Sequence, residues 1–242
     1  MIDFNRILKQ KAPVIKINRK NLPRHVGVTT NGTFQWAEKN NKTIEEAFRR
    51  KYENIRSIIK LQVKYQIPIM TIHVLPEGAK QEDALDALSS FLKAFSKDKF
   101  IHSNQIRVSV LGKWYDMPGI IIEDIKSVID ETKDYDKFFL NFCINYDGQE
   151  EIVDGCKLIV RKALLEKIDP ETIDKSFLKE NLYSSSFLPP EIILVYGLGN
   201  KLPDLLLWDS PNAYVFFKNK LWQDFSKEDF VNALIQFQRQ GK

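Results

Sequence analysis

Two hydrophobic rhythms alternate along this chain from about residue 25 onward. Short unbroken apolar runs take turns with longer stretches in which apolar side chains return every three or four residues. The first run, His25 to Thr29, reads as a buried strand. After a turn, Thr43-Ile44-Glu45-Glu46 has the form of a capping box, in which hydroxyl and carboxylate each satisfy a free backbone donor. The helix it opens carries Ile44, Phe48, Tyr52, Ile55 and Ile59 on one stripe. Pro68 punctuates before a second strand, Ile69 to Leu75. Leu85, Leu88, Leu92 and Phe95 mark a further amphipathic helix, and Ile106 to Leu111 a further strand. Pro118 suits the first turn of the next helix, with Ile122, Ile125 and Ile129 inward. Phe138 to Ile144 reads as strand, Gly148 to Ile168 as mostly helix, and Ile192 to Val195 as strand. Ser226 to Asp229 caps a final helix, with Phe225 placed to staple against Phe230.

Continuous apolar strands between amphipathic helices predict an α/β fold: a mostly parallel central sheet flanked by helices on both faces. A length of 242 residues suits one large domain. We expect a basic N-terminal segment over 1–22 and a single domain over 23–242. With 43% hydrophobic and 28% charged residues, the composition is that of a folded globular chain. No apolar run approaches the roughly 20 residues that span a bilayer, and no signal-peptide pattern opens the chain. A cytoplasmic location is therefore expected, with Ile2, Phe4, Ile7 and Leu8 able to rest on a membrane surface. The net charge of +4 is spread among interleaved acids and bases, which is no nucleic-acid footprint. Cys143 and Cys156 read as packing residues in a reducing compartment, and no histidines cluster with them to hold a metal. His25 and His73 read as satisfied core histidines. Gly197-Leu198-Gly199 lacks the third glycine of a dinucleotide loop.

Four blocks of sequence go further. Residues 23–37, PRHVGVTTNGTFQWA, are similar to the opening block of the cis-prenyltransferases, the family of undecaprenyl and dehydrodolichyl diphosphate synthases. Residues 140–155, LNFCINYDGQEEIVDG, resemble that family's LNYGGRxEIVDA segment. Leu206 to Ser210 resembles its LLWQS, and Leu221 to Phe225 its LWPDF. The resemblance implies an undecaprenyl diphosphate synthase-like fold, a dimer, and a hydrophobic tunnel for the growing chain.

The same resemblance directs attention to what is missing. Family members condense isopentenyl diphosphate with an allylic diphosphate, which calls for magnesium and for cations that grip phosphate. The family's opening-block carboxylate falls on Asn31, and its next three residues on Thr33, Phe34 and Gln35, so that an arginine is replaced by Gln35. Trp36 is kept and reads equally well as structural. A family histidine falls on Phe48. The Phe-Ser-x-Glu-Asn-Trp-x-Arg-Pro stretch is replaced by Leu75-Pro76-Glu77-Gly78-Ala79. The family's phosphate cradle falls on Val195 to Pro203, where Lys201 alone keeps a cation and offers a residual phosphate contact. A late metal-holding glutamate falls on Tyr214.

These losses, taken with the resemblance, lead to the expectation that the chain is inactive alone: a pseudoenzyme subunit like the Nogo-B-receptor-like partner of heteromeric cis-prenyltransferases. The closing residues Arg239, Gln240 and Gly241 match that subunit's Arg-x-Gly tail, which implies diphosphate binding in trans, on a catalytic homologue that holds the magnesium. Two alternatives stand beside it. One is a divergent, active homodimeric cis-prenyltransferase using Lys201 and other groups. The other is a polyprenyl-binding protein without chemistry.

Overall fold

The computed structural model describes residues 17–76, 78–79, 81–166, 168–199 and 201–240. Strand β1 (His25–Thr29) is buried at every position, and β2 (Ile69–Pro76) at every position but its last. Such strands must be covered on both faces, and the fold does this with one sheet between helical layers. With β3 (Ile106–Leu111), β4 (Phe138–Tyr146), β5 (Ile192–Gly197) and β6 (Tyr214–Asn219), the sheet has the order β3-β4-β2-β1-β5-β6, and every pairing is parallel.

Around it lie α1 (Thr33–Asn40), α2 (Ile44–Lys64), α3 (Glu82–Ser96), α4 (Lys99–Ser103), α5 (Gly119–Thr132), α6 (Gly148–Glu166), α7 (Lys175–Lys179) and α8 (Lys227–Gln240). The expected capping box on α2 is complete: the Glu46 amide donates to Thr43 Oγ1 at 3.1 Å, and the Thr43 amide to Glu46 Oε2 at 3.3 Å. Its stripe of Phe48, Tyr52, Ile55 and Ile59 is buried in one core with Phe91, Phe95 and Phe142. On α5 the buried line runs through Ile121, Ile125 and Val128, with Ile122 and Ile129 packed beside it. At α8, the Asp229 amide donates to Ser226 Oγ and the Ser226 amide to Asp229 Oδ2.

Three local expectations change. The segment after β1 is a turn only at Thr30–Gly32 and then becomes α1, which begins on a left-handed Gly32. β6 escapes the hydrophobic pattern because it is an edge strand; Tyr214, Phe217 and Asn219 point outward. Cys143 is buried as expected, whereas Cys156 is exposed on α6, since the helix turns that position away from the sheet. Among the described residues no helix is long and apolar enough to cross a membrane.

Strand order reverses at β1. The chain moves outward from β1 to β2 on one side and returns on the other through β5 and β6. In an open parallel sheet the loops at the carboxyl ends of the two strands flanking such a reversal diverge and leave a crevice. Here that crevice lies beyond β1 and β5.

Candidate active site

The crevice is a cleft of about 600 Å³, walled by Asn31, Gly32, Phe34 and Gln35 on the β1 side and by Gly197, Gly199, Lys201 and Asp204 on the β5 side. Its walls are tied to the sheet. Thr29 Oγ1 accepts from the Tyr196 amide at 2.9 Å, and the Thr30 hydroxyl donates to the His73 carbonyl at 2.6 Å. The Asn31 carbonyl accepts from the Trp222 amide at 3.2 Å. Gly32 adopts φ 101°, and a Cβ there would stand 2.4 Å from Leu221 Cδ2, so conformation and space both demand glycine. Gly199, at φ 103° with open space beside it, allows a ligand to approach backbone closely. Lys201 is exposed and pairs with no carboxylate among the described residues.

Asp204 is the carboxylate of the cleft. Its loop is pinned from behind: a Cβ on Gly148 would stand 1.9 Å from the Asp204 carbonyl oxygen. Two residues on, the Leu206 amide donates to the buried Tyr146 hydroxyl at 3.0 Å, and that hydroxyl donates to Glu151 Oε2 at 2.5 Å. Burial beside Glu151 pushes the Tyr146 phenol far above its ordinary range, so it stays a neutral donor. The side chain of Asp204 is 37% exposed, facing both the cleft and His73, whose Nδ1 lies 3.6 Å from Asp204 Oδ1.

Beneath this surface sit two buried bases. Neither nitrogen of His73 makes a well-formed hydrogen bond among the described residues, and burial lowers its pKa, opposed by the Asp204 charge and by the Tyr146 backbone. The fully buried Lys51 ammonium donates to the Val74 carbonyl at 2.6 Å, and burial brings its pKa down to about 7. The reading of His73 as a satisfied core residue is thus corrected: it is core, but without a well-formed hydrogen bond among the described residues, its Nδ1 3.6 Å from Asp204 Oδ1. His25 is satisfied at both nitrogens.

The structure brings Asn31, Gln35, Val195 and Lys201 together in the cleft. Phe48 lies behind it, its ring 5.8 Å from that of Phe34. Trp36 is structural, its indole N–H donating to Asp224 Oδ1 at 2.8 Å. Tyr214 and the tail lie elsewhere. Tyr214 opens β6 at the far end of the sheet and packs against Phe237 of α8. Gln238 bonds to Asn18 and Asn21, just before β1, while Asp229 at the other end of α8 meets the Tyr196 hydroxyl. Helix α8 therefore runs away from the cleft, and Arg239 and Gln240, both exposed, stand opposite it. Gly241, Asn200 and Glu77 lie outside the described residues. Sequence reasoning missed Asp204; its signal was a lone carboxylate after Pro203 at the edge of the apolar run Leu205-Leu206-Leu207.

Residues 30–242 match the prenyltransferase family described as undecaprenyl diphosphate synthase, and the chain belongs to that family. It is 29% identical to a geranylgeranyl-diphosphate-specific tritrans,polycis-undecaprenyl-diphosphate synthase of Thermoplasma volcanium, over 91% of this chain and 88% of the relative. It is 25% identical to an isoprenyl transferase of Heliobacterium mobile, over 92% and 87%. Among solved structures, lavandulyl diphosphate synthase from Lavandula x intermedia, in complex with dimethylallyl diphosphate, superposes with a TM-score of 0.84 at 22% identity, covering 90% of this chain and 96% of that one. A probable undecaprenyl diphosphate synthase from Campylobacter jejuni gives 0.69 at 20% identity, over 88% and 94%. The six-stranded parallel sheet with helices on both faces is thus the fold of this family.

These findings correct the expectation of an inactive subunit. The relatives are named as synthases and transferases, and the match runs through nearly their whole length. The physical reason the expectation failed is that it counted losses position by position along the family's motifs. The cleft keeps the cation at Lys201 that the phosphate-cradle motif retains, and adds a carboxylate at Asp204, one residue beyond that motif.

Proposed function

We propose that this chain is itself a prenyltransferase, divergent in its site, that moves a prenyl group from an allylic diphosphate onto isopentenyl diphosphate. In that reaction a carbon–oxygen bond to diphosphate breaks, a carbon–carbon bond forms, and a proton leaves the isopentenyl unit. The observation that carries the reading is the joining of Lys201, Asp204 and the Gly197–Gly199 turn in one cleft at the sheet's reversal point. Lys201 faces the negative charge that grows on the departing diphosphate, and groups aimed at developing charge do the most for rate. The open backbone at Gly199 lets phosphate oxygens come close, and the Asn31 amide adds a neutral donor.

The family's magnesium fits this donor set. Magnesium is commonly held by one or two carboxylates with substrate phosphates and water, and Asp204 supplies one carboxylate with the Asn31 oxygen beside the same cleft. No cluster of three acidic, histidine or cysteine ligands exists among the described residues, so the ion would come with its diphosphate. When bound, it neutralises phosphate charge. Because Arg239 and Gln240 stand at the far end of the sheet, any diphosphate contact they make belongs to a second subunit's cleft.

The test is an assay of the purified chain alone with labelled isopentenyl diphosphate, farnesyl or geranylgeranyl diphosphate, and magnesium. Time-dependent label in solvent-extractable product, abolished by a chelator, is expected. A folded, partner-free preparation that gives none overturns the proposal.

A further inference from the structure

We propose that Tyr146, anchored on Glu151, is a positioning residue that aims the Asp204 carboxylate into the cleft by holding a left-handed turn at Leu206. The activity it serves is the prenyl transfer proposed above, so this inference rests on that reading.

Leu206 has φ 51°. That conformation crowds any side chain bearing a Cβ, and strain of this kind persists only where surrounding contacts impose it. Among the described residues, the other non-glycine positions with positive φ are Asn41, Gln66, Gln105 and Asn145; Leu206 alone is apolar, and it is buried. The contact that imposes the turn is the hydrogen bond from the Leu206 amide to the Tyr146 hydroxyl oxygen at 3.0 Å.

That oxygen is itself fixed. The buried Tyr146 hydroxyl donates its proton to Glu151 Oε2 at 2.5 Å, which leaves a lone pair for the Leu206 amide. Burial and the neighbouring carboxylate keep the phenol neutral, so the proton stays in that bond. Glu151 is equally buried, and its Oε1 accepts from the Ser184 amide at 2.9 Å. It stands in the first turn of α6, where Asp147 Oδ1 accepts from the amides of Gln149 and Glu150 at 2.8 and 3.0 Å. Tyr146 thus hangs the turn on the end of β4 and on a capped helix start.

The same side chain reaches the other flank of Asp204. Its ring meets that of His73 edge-on at 5.7 Å, and His73 Nδ1 lies 3.6 Å from Asp204 Oδ1. One tyrosine therefore fixes both the backbone two residues beyond Asp204 and the ring that its carboxylate faces. The far end of the loop has a separate tether: Asp209 Oδ2 accepts from the Ser184 hydroxyl at 3.1 Å and from the Lys179 ammonium. Loss of the Tyr146 hydroxyl should release residues 204–206 while that tether keeps the loop in place, a loss of aim and not of fold.

Tyr146→Phe keeps the ring and removes the hydroxyl. Hydrogen exchange read by mass spectrometry should show the stretch 204–207 exchanging about fivefold to tenfold faster, the scale of one lost hydrogen bond, with β1 and β2 unchanged. Prenyl transfer should fall about tenfold to a hundredfold, as it does when a reacting group is misplaced by about 1 Å, and half-saturating magnesium should rise. In an Asp204→Asn background the same change should cost no more than about twofold, whereas independent losses would multiply. Glu151→Gln should move exchange and transfer the same way by less, and it replaces Tyr146→Phe in every comparison if that variant does not fold. Unchanged exchange across 204–207, or losses that multiply in the double variant, overturns the positioning role and leaves the transferase reading standing. If the wild type gives no transfer, the transferase reading falls, and the exchange data still decide whether Tyr146 holds the turn.

Discussion

His25 and His73 begin alike and end differently. Both lie on neighbouring central strands, both are nearly inaccessible, and burial lowers the pKa of both. His25, at the amino end of β1, is fully paired. Its Nδ1 lies 2.5 Å from the Leu188 carbonyl, which can only accept, so Nδ1 carries the proton. Nε2 then accepts from the Thr71 hydroxyl at 2.8 Å, and Thr71 accepts from Asn141 Nδ2 at 3.0 Å. His73, at the carboxyl end of β2, has neither nitrogen paired and looks toward Asp204 at 3.6 Å. The His25 chain of bonds ties β1, β2 and β4 together, though Asn141 Oδ1 at its end is unpaired among the described residues, whereas His73 stands beside an exposed carboxylate at the cleft. An unpaired buried polar group costs stability, and the one at His73 adjoins the cleft.

The largest effect expected is from Gly148→Ala. A methyl 1.9 Å from the Asp204 carbonyl cannot be absorbed without moving that loop, so activity should fall below detection. Thermal unfolding should show a loss of about 1–3 kcal/mol, the usual cost of forcing atoms into a packed site. Lys201→Ala comes next. It touches nothing that holds the fold, and removal of one charge-assisted phosphate contact should lower kcat/KM by about tenfold to a hundredfold, with unfolding unchanged.

The two histidines then separate by stability. His25→Leu leaves the Leu188 carbonyl and the Thr71 hydroxyl unpaired and should cost about 1–3 kcal/mol at pH 7. His73→Leu removes an already unpaired group, so it should be neutral or stabilising by up to about 1 kcal/mol, with activity altered only a few-fold. Denaturant titrations of the two variants, side by side, would break the comparison if His73→Leu proved the more damaging.

A smaller effect is visible in the pH dependence. The His25 pKa falls from 6.5 in the unfolded chain to about 4 when folded. Below 6.5 the unfolded state takes up a proton that the folded state refuses. The stability His25 contributes is therefore full above pH 6.5 and lost as pH drops toward 4, by about 1.4 kcal/mol per unit at most. His25→Leu should flatten that window. Lys51, at about 7 against 10.5 unfolded, acts likewise on the alkaline side: stability falls as pH drops from 10.5 to 7, and Lys51→Met should remove the slope.

Most of the frame was legible in the pattern of apolar residues because the buried strands are continuous and the helices strongly one-sided. The capping box at Thr43 and the stripe through Phe48, Tyr52 and Ile55 needed only local rules. β6 did not, because an edge strand with outward aromatics has no buried face to mark it. The cleft was half legible. Asn31, Gln35 and Lys201 follow from the resemblance to known motifs, whereas Asp204 becomes a site residue only through contacts of β4 and α6 with a loop some sixty residues away, from Tyr146 to Leu206. Motif comparison counts what a position has lost; it does not see what the fold brings to the same place from elsewhere.

The central claim is that this cleft works with Asp204 as its carboxylate, and the direct measurement is the magnesium dependence of prenyl transfer by Asp204→Asn beside the wild type. The side chain is 37% exposed, and its one charged contact among the described residues is His73 at 3.6 Å, so the variant should fold normally. We predict a magnesium-dependent activity in the wild type and a loss of about a hundredfold to a thousandfold in the variant, the scale of removing one group that stabilises developing charge. Transfer by Asp204→Asn at the wild-type rate and the wild-type magnesium requirement would contradict the account.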